Sequence, residues 1–123
     1  MLPVAIFAQE PFYYRIDKAK GLPSNTVYDI FQDSRGFMWI AGGQGLSKYD
    51  GRRFTTYSSD SQTLKSGSNI QEDKYGRIWY ANFDGYIYYV ENDSLKAFRQ
   101  SAVWGYVRFG IVGNSLFCVE PGY

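Results

Sequence analysis

An all-β fold assembled from repeated four-stranded antiparallel units is what the sequence predicts, and three observations predict it. The run Ile30 to Tyr49 returns forty positions later as Ile70 to Tyr89, with seven of twenty positions identical, where average residue usage gives about one by chance. Inside each copy the pattern is strand-like, short apolar and aromatic runs cut by turn residues. A period near forty accommodates four short strands with their turns, the unit from which a β-propeller blade is made. At 123 residues the chain holds about two and a half such units, against the roughly four to eight of a closed propeller. The expectation is therefore a propeller fragment.

Taken in order, Leu2 to Ala8 is a short apolar run followed by Gln9-Glu10. It reads as the remnant of a secretory signal peptide over residues 1–10, with the small residue Ala8 just before the cut and the basic n-region missing. A buried edge strand is the alternative. Residues 11–123 form the partial propeller. Phe12 to Asp17 is rich in β-formers and predicts a lone strand, followed by the loop Lys18 to Asn25. Phe54 and Leu64 stand forty-two positions after Phe12 and Leu22, so this strand corresponds to the last strand of a unit, the offset by which closed propellers complete a blade from both chain ends.

The first full blade is predicted over residues 27–57. Its strands are Val27 to Gln32, Phe37 to Ala41, Leu46 to Tyr49 and Arg53 to Tyr57. Gly36 falls where a hairpin of three to five residues wants φ above zero, and Asp50-Gly51 reads as a type I′ turn. The second blade is predicted over 69–99, with strands Asn69 to Glu72, Arg77 to Ala81, Tyr86 to Val90 and Leu95 to Arg99. An incomplete third runs over 103–123, with Asn114 at the left-handed turn position and Phe117 in the place of the tryptophan. In the strand around Trp39, Trp39 and Ala41 share one face and Met38 and Ile40 the other, with nothing polar between. Both faces must be covered, as in a sheet sandwiched between two others.

Composition excludes several functions. With 13 basic and 12 acidic residues the net charge is +1, so no global field recruits nucleic acid or an anionic membrane, and no run approaches the length of a membrane span. Histidine is absent, which removes the usual general base, the commonest metal ligand and any phospho-accepting histidine. No metal or other cofactor is expected. Cys118 is the one cysteine; without a cationic neighbour in sequence it reads as a small buried strand residue. The 24 aromatic residues (12 Tyr, 9 Phe, 3 Trp) suit packed strands and carbohydrate-facing surfaces alike.

The stretch Gly21-Leu22-Pro23-Ser24-Asn25, with Val27 to Ile30, Asp33 to Gly36, Trp39-Ile40 and Gly45 to Gly51, closely resembles the two-component regulator propeller repeat of periplasmic sensor regions in hybrid two-component histidine kinases of Bacteroides type. The second unit keeps Asp73, Gly76, Trp79 and Gly85 but replaces the Gly-Leu-Pro-Ser-Asn loop by Leu64 to Asn69. The resemblance implies an N-terminal periplasmic, ligand-sensing segment of an inner-membrane signal-transduction protein that responds to a polysaccharide breakdown product. The kinase chemistry would reside in other domains of an intact parent, and this chain is not expected to be an enzyme.

Under that reading the loops joining consecutive blades and those joining each second strand to the third share one propeller face. They carry the candidate ligand-binding residues Asn25, Gln44, Asn69, Asn82, Phe83 and Asp84, amides and carboxylates for hydroxyl groups and a ring as platform. Ordinary solvated loop is the plainer reading of each. Asp33, Gly36, Trp39, Gly45, Tyr49 and their counterparts Asp73, Gly76, Trp79, Gly85, Tyr89 are read as structural repeat positions, turn and core rather than a catalytic pair and sugar stacks. A secreted propeller glycosidase or sialidase is the rival, since its aspartate box also combines Asp, Gly and Trp; here Asp33 to Gly36 is one residue too long, and Met38 or Ile78 stands where that box has Ser or Thr. A pure protein-interaction propeller is a third reading. Expected partners are an oligosaccharide and either missing blades of the same parent chain or further copies of this one, because open blade faces and strand edges favour association.

Overall fold

The computed structural model describes residues 15–100 and 108–119. Within these bounds lie two four-stranded antiparallel sheets and a hairpin. The first sheet has the order β1 (Val27–Gln32), β2 (Met38–Gly42), β3 (Gly45–Tyr49), β4 (Phe54–Tyr57). The second repeats it with β5 (Gly67–Glu72), β6 (Ile78–Asn82), β7 (Tyr86–Glu91), β8 (Ser94–Gln100). The hairpin β9 (Arg108–Val112) and β10 (Ser115–Val119) follows. These are blades of a propeller.

The apolar strands are sandwiched as their composition demands. Every residue of β6 is buried: Ile78 and Tyr80 pack toward the first blade with Trp39, Ala41, Leu46 and Tyr57, while Trp79 and Ala81 pack with Ile87 toward Phe109 of the hairpin. Alternate side chains leave opposite faces of a strand, so two neighbouring blades divide one strand between them.

The first strands of consecutive blades are laced by side chains. The Asp29 carboxylate on β1 accepts the Ile70 N–H of β5 at 2.7 Å, and Gln71 Oε1 on β5 accepts the Ile111 N–H of β9 at 3.0 Å. Gln71 and Asn69 also donate to the Phe109 carbonyl. Asn69 is a left-handed residue, φ 61°, within the bulge that interrupts the β5–β6 register.

Several expectations need correction. Residues 12–14 of the anticipated first strand, like the anticipated leader over 1–10, lie outside the described residues. Residues 15–17 are not in a strand, and Lys18–Lys20 form a 3₁₀ turn closed by left-handed Gly21. The second blade spans 67–100 rather than 69–99. The type I′ turn is at Asn92-Asp93, both with positive φ, between the paired residues Glu91 and Ser94. At Asp50-Gly51 only the glycine has positive φ. There the Asp50 carboxylate accepts the N–H groups of Arg52 and Arg53, and those bonds hold it below its ordinary pKa.

In the hairpin Gly113, φ 60°, takes the left-handed position instead of Asn114. The one-residue change turns Phe117 outward, 58% exposed, and sends Leu116 and half-buried Cys118 against Trp79. Residues 103–107 and 120–123 of the third unit lie outside the described residues.

Candidate functional site

The element shared by both blades is a turn that grips a tryptophan. In the first, Asp33 Oδ1 accepts the N–H groups of Arg35 and Phe37 at 2.9 Å each, and Oδ2 accepts the Trp39 indole N–H at 2.8 Å. In the second, Asp73 Oδ1 accepts Tyr75 and Arg77, and Oδ2 accepts Trp79 at 2.8 Å. The glycine three residues later, Gly36 at φ 95° or Gly76 at φ 82°, lets the turn close in the left-handed region. Both oxygens of each aspartate are engaged by the turn and its indole, which makes the pair structural. Burial pushes the Asp73 carboxyl up in pKa, but the bonds from Trp79, from the Arg77 backbone and guanidinium and from Tyr75 outweigh it and hold the acid below its ordinary value.

The candidate loop residues divide into two groups. Asn25 and Gln44 are exposed. Phe83 is half-buried, with Tyr28 of the first blade meeting its ring edge-on at 4.9 Å, so this aromatic pair bridges the two blades on the loop face. The other three hold the fold. Asn82 is fully buried, donates to the Leu64 carbonyl at 2.8 Å and accepts from Tyr80 and Gln62. Asp84 accepts the N–H groups of Tyr86 and Thr63, and Asn69 lies in the β5 bulge rather than in a loop. Burial pushes the Tyr80 phenol well above its usual pKa, so this network stays protonated through the physiological range.

On the opposite face lies a feature that the sequence reading missed. A cleft of about 510 Å³ opens between the two blades, lined by Arg35, Phe37, Trp39, Lys48 and Tyr57 of the first and by Tyr75 to Ile78 and Val90 to Asp93 of the second. Inter-blade hydrogen bonds close both sides. Toward the inner strands, Glu72 accepts the Ser34 N–H at 2.8 Å and hydroxyl at 2.7 Å; toward the outer strands, the Tyr57 hydroxyl donates to Asp93. Lys48 Nζ sits 5.0 Å from the Phe37 ring centroid and 5.8 Å from that of Trp39, within cation–π range. No motif in the sequence marks this cleft, because its walls come from residues 33–57 of one blade and 75–93 of the next. Among the described residues no group of three or more His, Cys, Asp or Glu gathers into a metal site.

Comparison with known proteins agrees with this architecture. Residues 21–44 match the two component regulator propeller family. The chain is similar to the crystal structure of the extracellular domain of a hybrid two component system from B. thetaiotaomicron, at 26% identity and a TM-score of 0.69, over 85% of this chain and 17% of that one. No curated protein matches it. The chain is thus similar in repeat to the two component regulator propeller family and in fold to the extracellular domain of a hybrid two component system, of which it spans 17%.

Proposed function

We propose that the chain is a periplasmic ligand-sensing segment of a two-component sensor histidine kinase, responding to an oligosaccharide released from a polysaccharide. The observation that carries this reading is the likeness to the extracellular domain of a hybrid two component system over 85% of the chain, of which the chain spans 17%. The sugar contact belongs on the loop face. There the Tyr28–Phe83 pair offers apolar surface to a sugar ring, and exposed Asn25 and Gln44 offer amide donors and acceptors to its hydroxyls.

Isothermal titration of the chain against a panel of neutral and acidic oligosaccharides tests this. Binding by at least one member, lost in Phe83→Ala and reduced in Gln44→Ala, is the expected result. Absence of heat with every saccharide, in a chain whose melting transition is intact, would overturn it.

A further inference from the structure

We propose that the inter-blade cleft is a second binding site, on the face opposite the loops, and that it takes a carboxylate carried on a six-membered ring. The site does not depend on the loop-face reading.

The argument is an accounting of donors and acceptors. The cleft is lined by three cations, Arg35, Lys48 and Arg77, and three acids, Asp33, Glu91 and Asp93, so formal charge alone recruits nothing. Each acid has a partner: Asp33 has three N–H groups, Asp93 has the Tyr57 hydroxyl at one oxygen, and Glu91 has Arg77 at 3.8 Å and Lys96 at 3.4 Å. Of the cations, Arg77 is engaged by Asp73. Lys48 has one contact at the distance limit, 4.0 Å from Asp93, and the exposed Arg35 guanidinium makes no ion pair among the described residues.

Arg35, a planar five-donor fork at the mouth, is thus the one cation of the lining without an ionic partner among the described residues, and Lys48 adds a lightly engaged ammonium deeper in. A guanidinium of this kind matches a carboxylate bidentately. In the same lining Tyr75 is 66% exposed, with Lys74 and Arg77 each 5.2 Å from its ring centroid, and Phe37 is half-buried with Lys48 over its ring; the ring surface left uncovered is suited to contact with another ring. The volume, about 510 Å³, falls within the usual range for small-ligand sites. With inter-blade hydrogen bonds on both sides, the cleft is preformed, so binding pays little for ordering it.

The two sources of this chemistry, a sugar acid and an aromatic acid, are separated by probes. The chain is titrated with glucuronate, benzoate and glucose while the indole N–H resonances of Trp39 and Trp79 are followed by NMR. Trp39 lines the cleft and Trp79 does not. A saturable shift of Trp39 by glucuronate or by benzoate, without one from glucose and without one at Trp79, is the expected result, and the acid that acts identifies the source. Arg35→Ala, an exposed change that leaves the fold intact, should weaken that binding about tenfold or more, and Lys48→Met should weaken it while keeping the packing over Phe37. A silent Trp39 with both acids, an equal response to glucose, or full affinity in Arg35→Ala would each overturn the proposal. None of these outcomes bears on oligosaccharide binding at Phe83, which is read separately.

Discussion

Asp33 and Trp39 are joined by an indole N–H to carboxylate hydrogen bond of 2.8 Å, and Asp73 and Trp79 repeat it at the same length. The bond explains why an acid, a glycine and a tryptophan recur at fixed offsets. The aspartate organises the turn with one oxygen and orients the blade's largest ring with the other. Asp33→Ala removes the acceptor of three N–H groups, one of them on a buried ring, and should cost about 2 to 3 kcal/mol. Trp39→Ala should cost about 3 to 5 kcal/mol, because the ring fills the gap between two blades. Denaturant titration followed by circular dichroism measures both.

The same turn makes the chain acid-sensitive. The Asp73 pKa is lower in the folded state than the ordinary 3.8. A depressed carboxylate contributes stability that is fully present above its unfolded pKa and is lost as pH falls through the folded one. The melting temperature should therefore be insensitive to this group near neutrality and fall once pH drops below about 3.9. In Asp73→Asn the acid limb of the profile should flatten, with lower stability at pH 7. An unchanged acid limb in that variant would place the sensitivity in other groups.

Gly67 opens β5 where no side chain fits. A Cβ there would stand 2.5 Å from Tyr80 Cε2 and 2.6 Å from the Ala81 carbonyl, and neither buried neighbour can move freely. Gly67→Ala should cost about 1 to 3 kcal/mol through overpacking. Gly113→Ala, at a position with open space around it, should cost about 1 to 2 kcal/mol from its left-handed φ alone. Thermal melts of the two variants separate steric from conformational cost.

Asn82 has no exposed surface and ties β6 to the Leu64 carbonyl. Asn82→Ala leaves that carbonyl and the Tyr80 hydroxyl to find other partners, and should cost about 2 kcal/mol. Tyr57→Phe removes only the bond to Asp93 between the blades and should cost about 1 kcal/mol.

One face of the hairpin presents apolar side chains to solvent: Val112, Phe117 and Val119 are 69%, 58% and 67% exposed. Exposed apolar residues clustered on one hairpin favour self-association. The chain is expected to elute as a concentration-dependent oligomer, and Phe117→Lys should shift it toward monomer in multi-angle light scattering. A wild-type chain that is monomeric at every concentration would contradict this.

Period and turn chemistry made the blades legible in the sequence alone. Residues thirty-nine to forty-one positions apart fall on equivalent sites because each blade repeats one backbone, so Asp33, Gly36 and Trp39 forecast Asp73, Gly76 and Trp79 without coordinates. Local geometry demands those residue types, and local demands are written locally. What the tertiary structure alone decided is where equivalent positions exchange roles. Across the strand pair the first indole faces the cation Lys48 and stacks on Tyr57, while the second faces the ring of Tyr89 and takes its cation from Arg77. Val27 faces Gly42 in one blade and Gly67 faces Asn82 in the next. Each pair needs one partner of each kind, and either strand can supply it, so single positions read as unrelated until the pairing is seen. The inter-blade cleft stayed illegible for the same reason: Arg35, Lys48 and Tyr75 become neighbours only when one blade is packed on another.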